Sequence, residues 1–191
     1  CVDAITAQVS SLKLLVDEFS NFARLPQANP KPDDLNRLVR EIVTSYEGTE
    51  DVRLETVLDP ALPEVELDKE QMRRVLTNLV DNAIAAVREA RERGLYARTD
   101  AGPARAGRGE VRTAYDAALA MARFEVADDG TGIRPEDRRR IFEPYFSTKK
   151  QGTGLGLAIV SRIVADHRGY IRVHDELPRG TRFIVELPVR A

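Results

Sequence analysis

Cysteine occurs once in these 191 residues, at Cys1, and histidine only twice, at His167 and His174. A single cysteine excludes an internal disulfide framework and suits a reducing compartment. No apolar run is long enough to span a membrane as a helix, and no stretch of these residues is expected to act as a signal peptide. Charge of one sign is not in excess: 29 Lys and Arg stand against 31 Asp and Glu, for a formal net charge of −2. Nothing in that balance calls for nucleic acid or an anionic membrane as partner. The chain does not begin with Met and opens inside a helical pattern, so it is expected to be a piece of a longer protein, whose remainder is free to carry a membrane anchor or a sensor. The length suffices for one good core plus an appendage.

Val2, Ile5, Val9, Leu12, Val16, Phe19 and Ala23 follow alternating steps of three and four. That suggests the narrow seam of a bundle helix, the alternative being an ordinary amphipathic surface helix docked on its own domain. The segment Pro26 to Pro32 holds three prolines in seven residues and reads as a stiff linker. The expected organisation is therefore a bundle helix over 1–25, a linker over 26–32 and a domain over 33–191. In that domain Asp33 or Asp34 caps a helix running to about Glu47, and Val52 to Leu58 alternates as a strand. Asp68 and Gln71 resemble a capping box at the start of a long helix that ends near Gly94. Leu95 to Gly109 has no period and reads as a mobile loop. Strands are expected over Glu110–Tyr115 and Ala122–Ala127, a short helical turn over Pro135–Arg140, a helix over Leu155–His167, and a hairpin from Tyr170–His174 and Thr181–Leu187. Without regular alternation of strand and helix, the fold class is α/β (α+β): a two-layer sandwich, a mixed and mostly antiparallel sheet with helices on one face.

Two glycine clusters flank an aromatic segment: Gly130-Thr131-Gly132 and Gly152-Thr153-Gly154-Leu155-Gly156. Neither ends in Gly-Lys-Ser/Thr, and neither fits a dinucleotide fingerprint. They belong to a series of four motifs. The first is Asn78-Leu79-Val80-Asp81-Asn82-Ala83, whose two asparagines share one helix face. The second is Asp128-Asp129-Gly130-Thr131-Gly132-Ile133, at the end of a strand. The third is Ile141-Phe142-Glu143-Pro144-Tyr145-Phe146. The fourth is the second glycine cluster, opening a helix where backbone N–H groups suit phosphate oxygens. Each alone is weak, but the order and spacing are specific.

This series resembles the asparagine, first glycine, phenylalanine and second glycine boxes of sensor histidine kinases, in the wider GHKL (Bergerat) ATP-binding superfamily. The resemblance covers about Asp33 to Pro188. The segment "LVDEFSNFARLP" is also similar to the second bundle helix of nitrogen-regulation-type sensor kinases. The resemblance implies the Bergerat ATP-binding fold and Mg²⁺-ATP as ligand. It assigns Asn82 to the metal, with Asn78 one turn earlier facing the same site. Asp128 is implied to accept a hydrogen bond from the adenine amino group, and a carboxylate there disfavours guanine. Gly130, Gly132 and Ile133 would lie against the base, with the Thr181 hydroxyl helping to hold it. Gly152, Thr153, Gly154, Leu155 and Gly156 would form the hinge and phosphate loop of a lid over the nucleotide. Lys149 or Lys150 would reach a terminal phosphate. Phe142, Tyr145 and Phe146 would anchor the lid, or simply pack.

Hydrolytic members of the superfamily carry a Glu one turn before the metal asparagine, where this chain has Asn78. An amide is no general base, which favours phosphoryl transfer to a protein over hydrolysis. The acceptor implied is a histidine on a first bundle helix, and neither His167 nor His174 stands in such a context. This chain is accordingly expected to bind ATP without phosphorylating itself. The full protein is implied to be a cytoplasmic or membrane-anchored homodimer that passes the phosphoryl group to an aspartate of a response regulator. The alternatives are a catalytically silent nucleotide-binding module (a pseudokinase) and an anti-sigma-type serine kinase; the intact motif set speaks against the first and the bundle seam against the second.

Overall fold

The computed structural model describes residues 26–49, 52–96, 106–149 and 152–189, with Thr6 and Val9. Apart from Thr6 and Val9, the expected bundle helix lies outside the described residues, as does most of the expected loop after Leu95. The elements run β1 (Lys31–Asp33), α1 (Leu35–Thr44), β2 (Val52–Val57), β3 (Val65–Leu67), α2 (Lys69–Glu92), β4 (Gly107–Asp116), β5 (Met121–Asp128), α3 (Gly156–Asp166), β6 (Tyr170–Asp175) and β7 (Thr181–Pro188).

Five strands form one sheet in the order β2-β4-β5-β7-β6. The β2–β4 pair is parallel and every other pair antiparallel. The alternation of β7 shows why the helices lie on one side. Thr181, Phe183, Val185 and Leu187 are buried, and the residues between them are half-exposed. Phe124, Val126 and Val111 continue the buried face across the sheet, and Met72, Val75, Leu79 and Val80 of α2 lie in the same core. The opposite face is an ionic lattice. The nearly buried Glu110 carboxylate takes Arg108 at 2.7 Å and Arg112 at 3.2 Å, and Glu125 takes Arg123 at 3.2 Å. A two-layer sandwich with a mixed, mostly antiparallel sheet is what the sequence pattern anticipates.

Three local features differ from expectation. Lys31 and Pro32, at the end of the proline-rich stretch, pair with Leu67 and Glu66, so β1 and β3 make a small second sheet. Helix α1 stops at Thr44, and the chain continues to Glu47 in tighter turns, with Tyr46 N donating to Val43 O and Glu47 N to Thr44 O. Its N-cap is Asp34, one of the two aspartates expected there, whose Oδ1 accepts from Arg37 N at 2.9 Å.

The capping box of α2 is only half formed. Asp68 Oδ1 accepts from Gln71 N at 3.1 Å, but the Gln71 amide donates to Pro26 O instead of turning back. The Asp68 N–H goes to His167 Nε2 at 2.9 Å, and the other ring nitrogen of His167 lies 2.8 Å from Ile163 O. His167 is thus a buried structural histidine. Asp68 also accepts from Asn29 N at 3.0 Å. Burial raises its carboxyl pKa, but the bonds from Asn29 and Gln71 and the nearby His167 outweigh it, and the net shift is downward. Its contribution is therefore present above pH ~4 and lost as pH falls. Asp68→Ala is expected to cost ~1–2 kcal/mol at neutral pH, the usual loss of a helix N-cap, measured by urea unfolding.

Candidate functional site

Helix α2 presents one face to a cavity of about 490 Å³. The helical period sets the lining: Asn78, Asn82, Ala85, Ala86, Glu89 and Arg93 recur at steps of three and four. Asn78 Nδ2 donates back to Arg74 O at 2.8 Å. Its Oδ1 faces the start of α3, where a Cβ on Gly156 would come within 2.7 Å of it. Gly156 thus lets α3 approach α2 beside Asn78.

At one end of the cavity the last residue of β5, Asp128, is 5% exposed. Its Oδ1 accepts from Gly130 N at 2.8 Å, and the Thr181 backbone amide also supports the carboxylate. Burial nevertheless dominates and pushes the pKa up to about 7, with Asp129 adding to the rise and Lys149 opposing it. Thr181, directly across the β5–β7 register from Asp128, is buried beside it. Gly130 packs so closely on α2 that a Cβ would lie 2.5 Å from the Ala86 carbonyl carbon. Thr131 N then donates to Ala86 O at 3.2 Å.

At the other end α3 begins at Gly156 without a side-chain cap. The first N–H groups of a helix have no partner within it, and the helix dipole adds positive potential there. Gly154 has φ +72°, and its Cα sits so near the Tyr145–Phe146 backbone that a Cβ would lie 2.5 Å from Tyr145 C. Lys149 Nζ donates to Asn82 Oδ1 at 3.1 Å. Desolvation lowers the Lys149 pKa, against the opposing charges of Glu89, Asp128 and Asp81.

Of the residues singled out from sequence, Asn78, Asn82, Asp128, Gly132, Ile133, Lys149, Gly152, Thr153, Gly154, Gly156 and Thr181 all line this one cavity. Gly130 and Leu155 do not: the first underlies the wall against Ala86, and the second is a fully buried core residue. Lys150 lies outside the described residues. Phe142 packs edge-on against Phe183 at 6.5 Å, and Phe146 lines the cavity under the Arg140 guanidinium. Tyr145 is 58% exposed with φ +65°, so it does not anchor the segment through its ring. Asp81, Ala86, Glu89 and Thr131 line the site without having been anticipated. For Ala86 and Glu89 the signal was there, since they fall four and seven residues after Asn82 on the same helix face.

Among the described residues, no three His, Cys, Asp or Glu side chains are grouped to hold a metal. The Asn82 Oδ1 is a neutral oxygen already contacted by a cation, the Lys149 ammonium. Such a donor fits a Mg²⁺ ion that draws most of its ligands from phosphate and water, and not an all-protein cage. A cavity with a buried carboxylate at one end and an uncapped helix N-terminus at the other suits a ligand with a hydrogen-bond donor and a polyanionic tail.

Comparison with known proteins names that class. Residues 67–191 match the family described as histidine kinase-, DNA gyrase B-, and HSP90-like ATPase, and the chain belongs to it. Among curated relatives, the nitrogen regulation protein NtrY of Azorhizobium caulinodans is 32% identical over the whole chain, and the sensor histidine kinase ZraS of Escherichia coli is 33% identical over 82% of it. The chain spans only 23% and 30% of those two proteins. The solved catalytic domain of histidine kinase ThkA is 29% identical with a TM-score of 0.68, over 84% of this chain and 96% of that one. Full-length ShkA in complex with AMPPNP is 29% identical with a TM-score of 0.74, over 100% of this chain and 38% of that one. ThkA in complex with the response regulator TrrA is 25% identical with a TM-score of 0.74, over 99% and 50%. The particular member of the family is thus an ATP-binding catalytic domain of the sensor-histidine-kinase type. No helix among the described residues is long and apolar enough to cross a membrane.

Proposed function

We propose that this chain binds Mg²⁺-ATP and donates its γ-phosphoryl group to a histidine on a partner bundle helix, from which it passes to an aspartate of a response regulator. One observation carries the reading: residues of all four motifs line one cavity, with a buried acceptor, Asp128, at one end and the uncapped start of α3 at the other. In this reading Asp128 accepts from the adenine amino group, with Thr181 beside it. Gly132 and Ile133 lie against the base. Gly152, Thr153, Gly154 and Gly156 leave room for phosphate oxygens near the backbone N–H groups of α3.

Asn82 Oδ1 would hold the metal and Asn78 would stand beside it. When bound, Mg²⁺ supplies neutralisation of triphosphate charge. Lys149, freed from Asn82, would turn to the terminal phosphate. Catalysis then rests on positioning, since the place one turn before Asn82 is held by Asn78, an amide and no general base for water. Neither histidine suits the acceptor's place: His167 is buried with both ring nitrogens engaged, and His174 is exposed on the far face of the sheet. Autophosphorylation of this chain alone is not expected. The response regulator as partner is supported by the ThkA–TrrA complex. In the full-length protein we place this domain in the cytoplasm, where ATP is, and take the bundle helices as the homodimer contact.

Calorimetric titration with AMPPNP, with and without Mg²⁺, tests the reading. Saturable binding strengthened by Mg²⁺ is expected. Asn82→Ala should remove most of that strengthening, about tenfold, on the scale of one charge-assisted contact. Absence of binding by the folded chain would overturn the proposal.

A further inference from the structure

Behind the Asp128 pocket, on the side away from the ligand cavity, three segments far apart in sequence converge on one residue, Asp129. Tyr96, just beyond α2, donates its hydroxyl to Asp129 Oδ1 at 2.7 Å and lies 3.0 Å from Asp129 O. Arg108, at the start of β4, donates its backbone N–H to the same Oδ1 at 2.7 Å, and its carbonyl accepts from Asp129 N at 3.0 Å. Arg179, in the turn between β6 and β7, donates from Nε to Asp129 O at 3.1 Å and from Nη1 to Leu95 O at 2.7 Å. Its guanidinium lies 4.7 Å over the Tyr96 ring. Gly107 keeps the place open, since a Cβ there would sit 2.9 Å from the Tyr96 hydroxyl.

The Asp129 peptide is thus held at its N–H, its carbonyl and its side chain. It joins Asp128 to Gly130, whose N–H donates to the Asp128 carboxylate. We propose that Tyr96 and Arg179 are positioning residues for base recognition: by fixing the Asp129 peptide they hold the Asp128 carboxylate and the Gly130 amide in the arrangement that selects adenine. The inference rests on the assignment of Asp128 to the adenine amino group. Its physical basis is that a hydrogen-bonding site discriminates only when its acceptor is held within a fraction of an ångström. A carboxylate free to swing would bind the amino group less well and would no longer be forced against the carbonyl of a guanine.

The test is a titration of this chain with AMPPNP and with its guanine counterpart GMPPNP, for wild type, Tyr96→Phe, Arg179→Ala, Arg179→Lys and Asp128→Ala. Unfolding of each variant without nucleotide is measured alongside. Tyr96→Phe and Arg179→Ala are expected to lower the adenine-to-guanine affinity ratio about fivefold each, the scale of one lost neutral hydrogen bond. Arg179→Lys, which can still reach one carbonyl, should recover part of it. A ratio unchanged in Tyr96→Phe and Arg179→Ala, whatever happens to their thermal stability, overturns the proposal and leaves the cluster a purely structural clamp. If Arg179→Ala does not fold, Tyr96→Phe, which removes a single oxygen, decides the matter alone. The Asp128→Ala arm separates the two assignments. Selectivity lost there but kept in the clamp variants refutes the clamp only, and selectivity kept in all of them refutes the adenine assignment on which it stands.

Discussion

Asp128→Ala is expected to weaken ATP binding ~100-fold and to remove the part of its pH dependence that this carboxyl supplies. A hydrogen bond to a charged group is worth ~1.5–3 kcal/mol, about one to two powers of ten, and here the acceptor is nearly out of reach of water. The carboxyl of the nucleotide-free fold titrates at about 7, pushed up first by burial. The ionised form is the one that accepts from an amino donor. Affinity for ATP should therefore rise from pH 6 toward pH 8, by up to about tenfold per unit below the free pKa, and then level off. Calorimetry across that range, with Asp128→Ala as the reference that carries only the nucleotide's own titration, checks this.

The same group has an opposite effect on stability. A pKa raised from the ordinary carboxyl value of 3.8 to about 7 means that the folded chain holds a proton the unfolded chain has released. The contribution is complete below pH ~4 and is lost as pH rises through 7, on the order of 4 kcal/mol in all. Asp128→Asn should accordingly raise the unfolding temperature of the nucleotide-free chain at pH 8 and leave it nearly unchanged at pH 4. The site retains an ionisable group that the fold alone would be more stable without. That is expected where the compensating partner is a ligand.

Legibility from sequence follows how local each determinant is. Helix α2 was readable because its period, its Asp68 cap and its two asparagines all lie within one run of residues. The strand ending at Asp128 was readable from alternation. The strands β1 and β3 were not, because each has three residues and exists only through pairing with the other, 32 to 36 residues away across the register. The capping box failed for a similar reason: the N–H it should satisfy is taken by His167, 99 residues along the chain. Lys149 was a candidate for a phosphate, yet its contact with Asn82 spans 67 residues and has no sequence signal. The Tyr96–Asp129–Arg179 cluster spans 33 and 50 residues, and no single member looks unusual in its local context. Motif residues announce chemistry because that chemistry limits which residue can stand there. The residues that hold them in place are chosen by geometry, which only the fold supplies.

Gly180→Ala is expected to be the most damaging single methyl group that can be added near the site. Gly180 has φ +126°, a conformation L side chains avoid. A Cβ there would lie 1.8 Å from Asp128 O, 2.8 Å from Asp128 C and 2.9 Å from Asp129 Cα. All three are backbone atoms, so no side chain can rotate away, and either β7 or the end of β5 must move. The first pair lost is Asp128 with Thr181, the two residues at the base end of the cavity. Gly180 O also accepts from Glu176 N at 3.2 Å, closing the β6–β7 turn, and stands 3.3 Å from where a Cβ on Gly132 would be. Overpacking and backbone strain together put the cost at roughly 3–6 kcal/mol, with nucleotide binding lost even where the chain still folds. Gly48→Ala isolates the strain alone. Gly48 has φ +91° but nothing within 4 Å of an added Cβ, so it should cost only ~1–2 kcal/mol and leave binding untouched. Urea unfolding and AMPPNP titration of both variants make the comparison. Equal destabilisation of the two would mean that the β5–β7 junction yields easily, and the site would then not depend on how closely those backbones meet.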